Sequence, residues 1–335
     1  MSHLITTLPK AELHCHLEGT IAPGVAQRLA ARHGMDISAA IKPDGTYNWS
    51  DFGDFLNIYD VIAECVRTPE DYYDVMMDYY RTAAAAGMVY GEMFISSDHP
   101  EKVGISYDTF MDTLNAAADR IEADYGIIIR FVLHVVRHYG VEGARAVAEL
   151  AQTNPKRRVT GFGIAGDEAH LDHKEFAFAF DAARGAGLRC TAHAGEHLGP
   201  ESVRSAITHL KAERIGHGVR AAEDESLLAL LKDQGITLEV CPSSNVCLGV
   251  APTIEAHPLG KLHRAGVPIT INSDDPPFFF THIGREYDLA AQHHGFSAAA
   301  LLDVTRHAIK AGFCEDDVKT SCLSRIDAWQ QEQGL

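Results

Sequence analysis

The chain has 335 residues, 46% of them hydrophobic, a length that holds one large barrel or two ordinary domains. Its 29 Lys plus Arg stand against 46 Asp plus Glu, a formal net charge of −17 with no basic tract, so no nucleic acid partner is expected. Seven cysteines without a short repeated spacing exclude a disulfide framework, no apolar run reaches the roughly 20 residues that span a bilayer, and the first ten residues lack a secretory pattern; cytoplasm and no membrane partner are expected.

The first apolar segment, residues 12–16, reads as a strand carrying His14 and His16. Alternate side chains of a strand share a face, so the two imidazoles converge, about 6 to 7 Å apart at their Cα atoms, as half of a metal site. Residues 22–86 are too long for one crossover helix and show helical patterns at 24–33, 52–64 and 69–86, a helical insertion over one mouth of the fold.

Seven further strand segments follow, at 88–96, 127–136, 159–164, 188–193, 214–217, 238–241 and 269–272. Helical stretches at 176–186, 203–211, 226–234 and 259–265 lie between the later ones, and Gly187, Gly235 and Gly266 each punctuate a helix before the next strand. Residues 302–311 and 318–333 read as terminal helices. Eight strands with crossover helices close as a (β/α)₈ TIM barrel with a helical insertion after the first strand; with no linker or repeat, residues 1–335 count as one domain.

Barrel enzymes assemble their sites from several strand ends. Here those ends carry His14 and His16, then His193 and Glu196, His217, and finally Asp274 with Asp275. His14, His16, His193 and Asp274 form a nitrogen and oxygen set suited to one Zn²⁺, with Fe²⁺, Mn²⁺ or Co²⁺ also acceptable. An ion there lowers the pKa of water toward about 7.

Glu196, one residue past Gly195, reads as a proton donor to a ring nitrogen. His217, between Gly216 and Gly218, reads as the group that orients and deprotonates the water. Asp275, fixed with Asp274 before Pro276-Pro277, is free to hydrogen-bond substrate. The small residues of Gly161-Phe162-Gly163-Ile164-Ala165-Gly166 admit a flat ligand or a crowded turn, and both readings stand. Asn245 and its neighbours offer polar groups beside His217, and Phe278-Phe279-Phe280 either lines a pocket or packs under the insertion.

These stretches together closely resemble the adenosine and adenine deaminase family of metal-dependent hydrolases, within the amidohydrolase superfamily. The matches are Glu12-Leu13-His14-Cys15-His16-Leu17-Glu18-Gly19, Ala165-Gly166-Asp167-Glu168, His193-Ala194-Gly195-Glu196, Arg214-Ile215-Gly216-His217-Gly218, Cys241-Pro242-Ser243-Ser244-Asn245 and Asn272-Ser273-Asp274-Asp275-Pro276. The resemblance implies a zinc barrel that replaces the 6-amino group of a purine by a keto group and releases ammonia. It implies the same four ligands, Glu196 as proton donor to N1, His217 beside the water, Asp275 on N7, the Gly166 N–H on N3, and His16 and Glu18 in contact with substrate.

Family members specific for nucleosides carry Asp where this chain has Glu18, and adenine deaminases carry Glu. The Ala165–Glu168 and Arg214–Gly218 stretches, by contrast, resemble the nucleoside enzymes. Adenosine or deoxyadenosine, giving inosine or deoxyinosine, is the expected substrate; adenine, or another 6-aminopurine nucleoside such as aminodeoxyfutalosine, is the alternative.

Overall fold

The computed structural model describes residues 2–335, and its centre is an eight-stranded parallel sheet in the order β1 to β8. The strands are β1 Lys10–Glu12, β2 Met88–Ile95, β3 Ile128–Val136, β4 Val159–Ala165, β5 Arg189–Ala194, β6 Arg214–His217, β7 Thr237–Val240 and β8 Ile269–Ile271. Each strand pairs with its sequence neighbour, and a parallel bridge between Cys15 and Asp274 joins the last to the first. The expected TIM barrel is therefore the observed one, because strands buried on both faces need a crossover helix between each pair.

The first strand ends at Glu12, earlier than the sequence indicates. Beyond it the chain keeps an extended course while alternating partners: the Phe94 N–H donates to Cys15 O at 2.8 Å, the His16 N–H to Asp274 O at 3.1 Å, and the Asp274 N–H to His14 O at 3.1 Å. His14 and His16 thus straddle the seam where the barrel closes.

The insertion between β1 and β2 holds helices Pro23–His33, Phe52–Ala63 and Pro69–Ala85. Local chemistry sets their ends. Thr68 and Asp71 cap each other reciprocally at the start of the last, and Gly34 follows the first in the left-handed region. The insertion packs on the turn after β8: the Phe278 ring stacks on Tyr47 at 4.2 Å between centroids, and Phe279 lies 5.1 Å from Phe55. Phe278 and Phe279 are buried under the insertion, and Phe280 is half exposed. Of the two readings of this aromatic run, packing under the insertion is the one observed.

Candidate metal centre and substrate cleft

Four strand ends converge on one point. His14 and His16 lie just past β1, His193 is in β5, His217 ends β6, and Asp274 follows β8; all five are buried. His217 and Asp274 hold φ angles of 58° and 67°, which residues with a side chain seldom adopt, so the surrounding fold has to sustain both.

His14, His193, His217 and Asp274 each place a donor atom within 4.8 Å of the other three. The sequence puts His16 in this set rather than His217. His16 is nonetheless part of the cluster, its Nε2 3.3 Å from His193 Nε2 and 3.4 Å from Asp274 Oδ1. His14 Nε2 is also 3.4 Å from Asp274 Oδ1, and it is buried without a hydrogen-bond partner. Donors about 2.0 to 2.2 Å from a zinc ion at tetrahedral angles lie roughly 3.4 Å apart. Lone pairs converging at that spacing repel unless a cation lies between them, so the residues fit a single divalent ion.

The electrostatics agree. Burial opposes charge on His14, but the close approach of Asp274 and the hydrogen bond to Glu239 outweigh it and lift its pKa to about 10. Its surroundings favour a cation there. Burial lowers the pKa of His16 and His193, and takes His217 to about 3, so these rings are neutral with lone pairs available. Burial would raise Asp274, yet the His14 and His16 imidazoles 3.4 Å from its Oδ1 hold it well below the usual carboxylate range. Asp275 goes the other way, pushed up by burial and then by the charge of Asp274, so the two adjacent carboxyl groups are driven apart in acidity. Burial, followed by Asp274 and Glu168, raises Glu196 as well and favours its protonated form.

Beneath the imidazoles lies a layer that the sequence reading passed over. The Phe94 ring is 4.9 Å from both His14 and His16, and Gly163 lacks the Cβ that would come 2.9 Å from it. Gly161 is small for a like reason, since a Cβ there would meet Phe313 at 2.7 Å. Both glycines answer to crowding inside the barrel. Below, Arg214 pairs with Glu92 and Glu239, each at 2.6 Å, and the second oxygen of Glu239 takes His14 Nδ1 at 2.8 Å. Charged residues inside otherwise apolar strands are a legible signal of such a network, because a buried charge needs a partner.

Two more carboxylates hold the loops. Glu12 accepts from the Ser273 N–H at 2.8 Å and its hydroxyl at 2.6 Å, tying the Asp274 turn to β1. Glu168 accepts four successive backbone N–H groups, from Gly195 at 2.5 Å, Glu196 at 3.2 Å, His197 at 2.8 Å and Leu198 at 2.9 Å, together with the Ser202 hydroxyl. That carboxylate fixes the turn that carries Glu196. Glu196 Oε1 stands 3.7 Å from His217 Nε2.

A cleft of about 690 Å³, its open mouth included, lies over the centre. His16, Glu18, Gly166, His193, Glu196, His217, Asp274 and Asp275 all border it, and the insertion adds Phe52, Phe55, Leu56, Tyr59 and Asp60. Every sequence-assigned residue except the wholly buried His14 therefore reaches the cleft wall. Gly19 is needed beside it, because a Cβ there would fall 1.8 Å from Asp275 Oδ1. Glu18 is buried with neither carboxylate oxygen hydrogen-bonded, and burial lifts its pKa to about 8. Among the described residues, no helix is long and apolar enough to cross a membrane.

The adenine deaminase of Mesorhizobium japonicum is 44% identical over 318 residues, 95% of this chain and 98% of its own. Among solved structures, the adenine deaminase of Arthrobacter aurescens superposes with a TM-score of 0.89 at 27% identity, covering 97% of this chain and 99% of its own. An amidohydrolase of Burkholderia ambifaria with bound zinc gives a TM-score of 0.88 at 26% identity, covering 99% and 94%.

The expectation of adenosine or deoxyadenosine is overturned by relatives that are adenine deaminases at 42–44% identity. Of the two stretches that pointed to nucleosides, Ala165, Gly166 and His217 border the cleft, whereas Glu168 binds a loop and Arg214 an ion pair under the floor. Glu18, which pointed to adenine, borders the cleft. With the adenosine deaminase family model matching residues 9–329 and the buried histidine and aspartate centre in place, the chain belongs to the adenosine deaminase family of metal-dependent aminohydrolases.

Proposed function

We propose that residues 1–335 act as one barrel unit that hydrolyses adenine to hypoxanthine and ammonia. Glu18 carries the reading. A buried carboxyl group with two unpartnered oxygens on the cleft wall calls for an N–H donor, and free adenine offers the imidazole N–H that glycosylation removes from adenosine. The relatives' substrate supports the same choice.

His14, His16, His193 and Asp274 hold the ion, whose chemistry when bound is that of a Lewis acid that also makes water acidic. The chain's own residues supply the rest. Asp275, its pKa raised by burial and then by the charge of Asp274, donates to N7, and the Gly166 N–H meets N3. Glu196, protonated through burial, gives its proton to N1, which lets the ring accept electrons as the C6–O bond forms; His217 faces the incoming oxygen. Glu196, left as a carboxylate, takes the proton of the new C6 hydroxyl and passes it to the amino group; the C6–N bond then breaks, ammonia leaves and C6 keeps the oxygen as a keto group. The seven cysteines are all free thiols, which fits action in a reducing cytoplasm.

Loss of ultraviolet absorbance tests the substrate. The expected kcat/KM for adenine exceeds that for adenosine by about 100-fold or more, the scale of rejection when a buried polar group is left unpaired. A ratio in favour of adenosine refutes the assignment. Glu18→Gln should raise KM for adenine.

A further inference from the structure

His14 and His217 both turn Nε2 toward the centre, but their Nδ1 atoms have different partners. Glu239 Oε2 lies 2.8 Å from His14 Nδ1. A carboxylate only accepts, so Nδ1 carries the proton and Nε2 keeps its lone pair, as a ligating imidazole requires.

Behind His217 Nδ1, at 3.1 Å, is the side-chain amide of Asn245, which can donate or accept. Its orientation is set one step further back. The Leu259 N–H donates to His257 Nδ1 at 3.1 Å, and a backbone N–H has no other option. His257 therefore has its lone pair on Nδ1 and its proton on Nε2, which lies 3.1 Å from the oxygen of Asn245. With the amide oxygen so engaged, the amide nitrogen donates to His217 Nδ1. The single proton of a neutral His217 then sits on Nε2, 3.7 Å from Glu196 Oε1 and 3.9 Å from Asp274 Oδ2. His217, Asn245 and His257 are all buried, which shields the chain of bonds from solvent.

We propose that Leu259, His257 and Asn245 lock His217 in the Nε2–H tautomer, so that it serves the site as a hydrogen-bond donor and neither as a metal ligand nor as a proton acceptor. Asn245 and His257 are positioning residues in this scheme. The lock decides between the two imidazoles that compete for the fourth place around the ion. His16 takes it, and His217 Nε2–H points at the oxygen that attacks C6. The identity of that oxygen rests on the deaminase reading; the tautomer does not.

The test is a long-range ¹H–¹⁵N correlation spectrum of zinc-loaded protein labelled with ¹⁵N-histidine, with the His217 signals identified by their loss in His217→Asn. Nδ1 should resonate as an unprotonated acceptor and Nε2 as protonated. Asn245→Asp replaces the donor with an acceptor and should move the proton to Nδ1. It should also lower kcat for adenine by about 10- to 100-fold while KM changes less than about threefold.

A wild-type His217 protonated on Nδ1 overturns the proposal, as does an unchanged tautomer in folded Asn245→Asp. If that variant does not fold, His257→Phe removes the group that orients the amide and should give a mixture of tautomers; a single unchanged one overturns the proposal. The spectrum needs no turnover. An Nε2–H tautomer in a protein inactive on adenine therefore supports the lock and refutes the substrate assignment.

Discussion

Glu168→Gln isolates the device that holds the Glu196 turn. One carboxylate oxygen accepts the Gly195 N–H and the Ser202 hydroxyl; the other accepts the N–H groups of Glu196, His197 and Leu198. A glutamine can keep only one acceptor side. The cheaper arrangement turns its NH₂ toward Gly195 and Ser202, where the hydroxyl can rotate to accept but the Gly195 N–H is stranded. An orphaned buried donor costs about 1 to 3 kcal/mol. The three remaining bonds lose their charge assistance, at roughly 0.5 to 1 kcal/mol each. Removing a buried charge offsets part of this, leaving a net loss of roughly 2 to 4 kcal/mol.

For a chain of this size that loss lowers Tm by about 3 to 6 °C. Calorimetry or urea unfolding at fixed zinc measures it, with adenine turnover followed in parallel. Because Glu196 rides on the turn, kcat should fall with bound metal unchanged. A stability loss under about 1 kcal/mol would show that solvent or a rearranged loop satisfies these N–H groups as well as the carboxylate does.

Other expectations concern the centre and its surroundings. Glu196→Gln should retain the metal and lower kcat by about 10²- to 10⁴-fold; undiminished turnover removes its role as acid. Chelation should abolish activity and lower Tm, with one ion per chain restoring both; two ions per chain by metal analysis contradicts the single centre. Glu286, buried with a pKa raised to about 7 by that burial, carries a cost that grows as pH rises from its unfolded value toward 7. Relative to wild type, Glu286→Gln should thus gain roughly 2 kcal/mol in urea unfolding between pH 5 and pH 8, and an unchanged difference refutes the shift.

Residue type and spacing made the barrel legible. Short apolar strands alternating with amphipathic helices leave few architectures, and the helix ends carry caps such as Thr68 with Asp71 and Gly235 after Glu225–Gln234. The metal residues were legible as well, because a histidine at a strand end next to glycines has little purpose in a core. What sequence spacing could not separate was the cleft face from the floor within a single motif. Arg214 and His217 are three residues apart, yet one braces Glu92 and Glu239 below the site and the other borders the cleft.

The reason lies in the backbone at the strand ends. In β6, Arg214 points inward to its ion pairs and a Cβ on Gly216 would meet His14 at 2.8 Å, so strict alternation sends His217 outward with Ile215, which lies in the core. The positive φ of His217 reverses that, bringing its ring back to the centre. Asp274 also has a positive φ, but it shares the parity of Thr270, the partner of the inward Glu239, so alternation already directs it to the centre. Period-two reasoning thus fails at His217, and it fails there because the fold sustains a left-handed turn that residues with a side chain seldom take, each such turn costing on the order of 1 to 3 kcal/mol. The bonds around those two positions are the ones able to sustain it: Glu12 on Ser273 beside one, and Asn245 on His217 at the other. Loosening either should free its side chain from the centre, so the residues that anchor these turns matter to the site as much as those that face the ion.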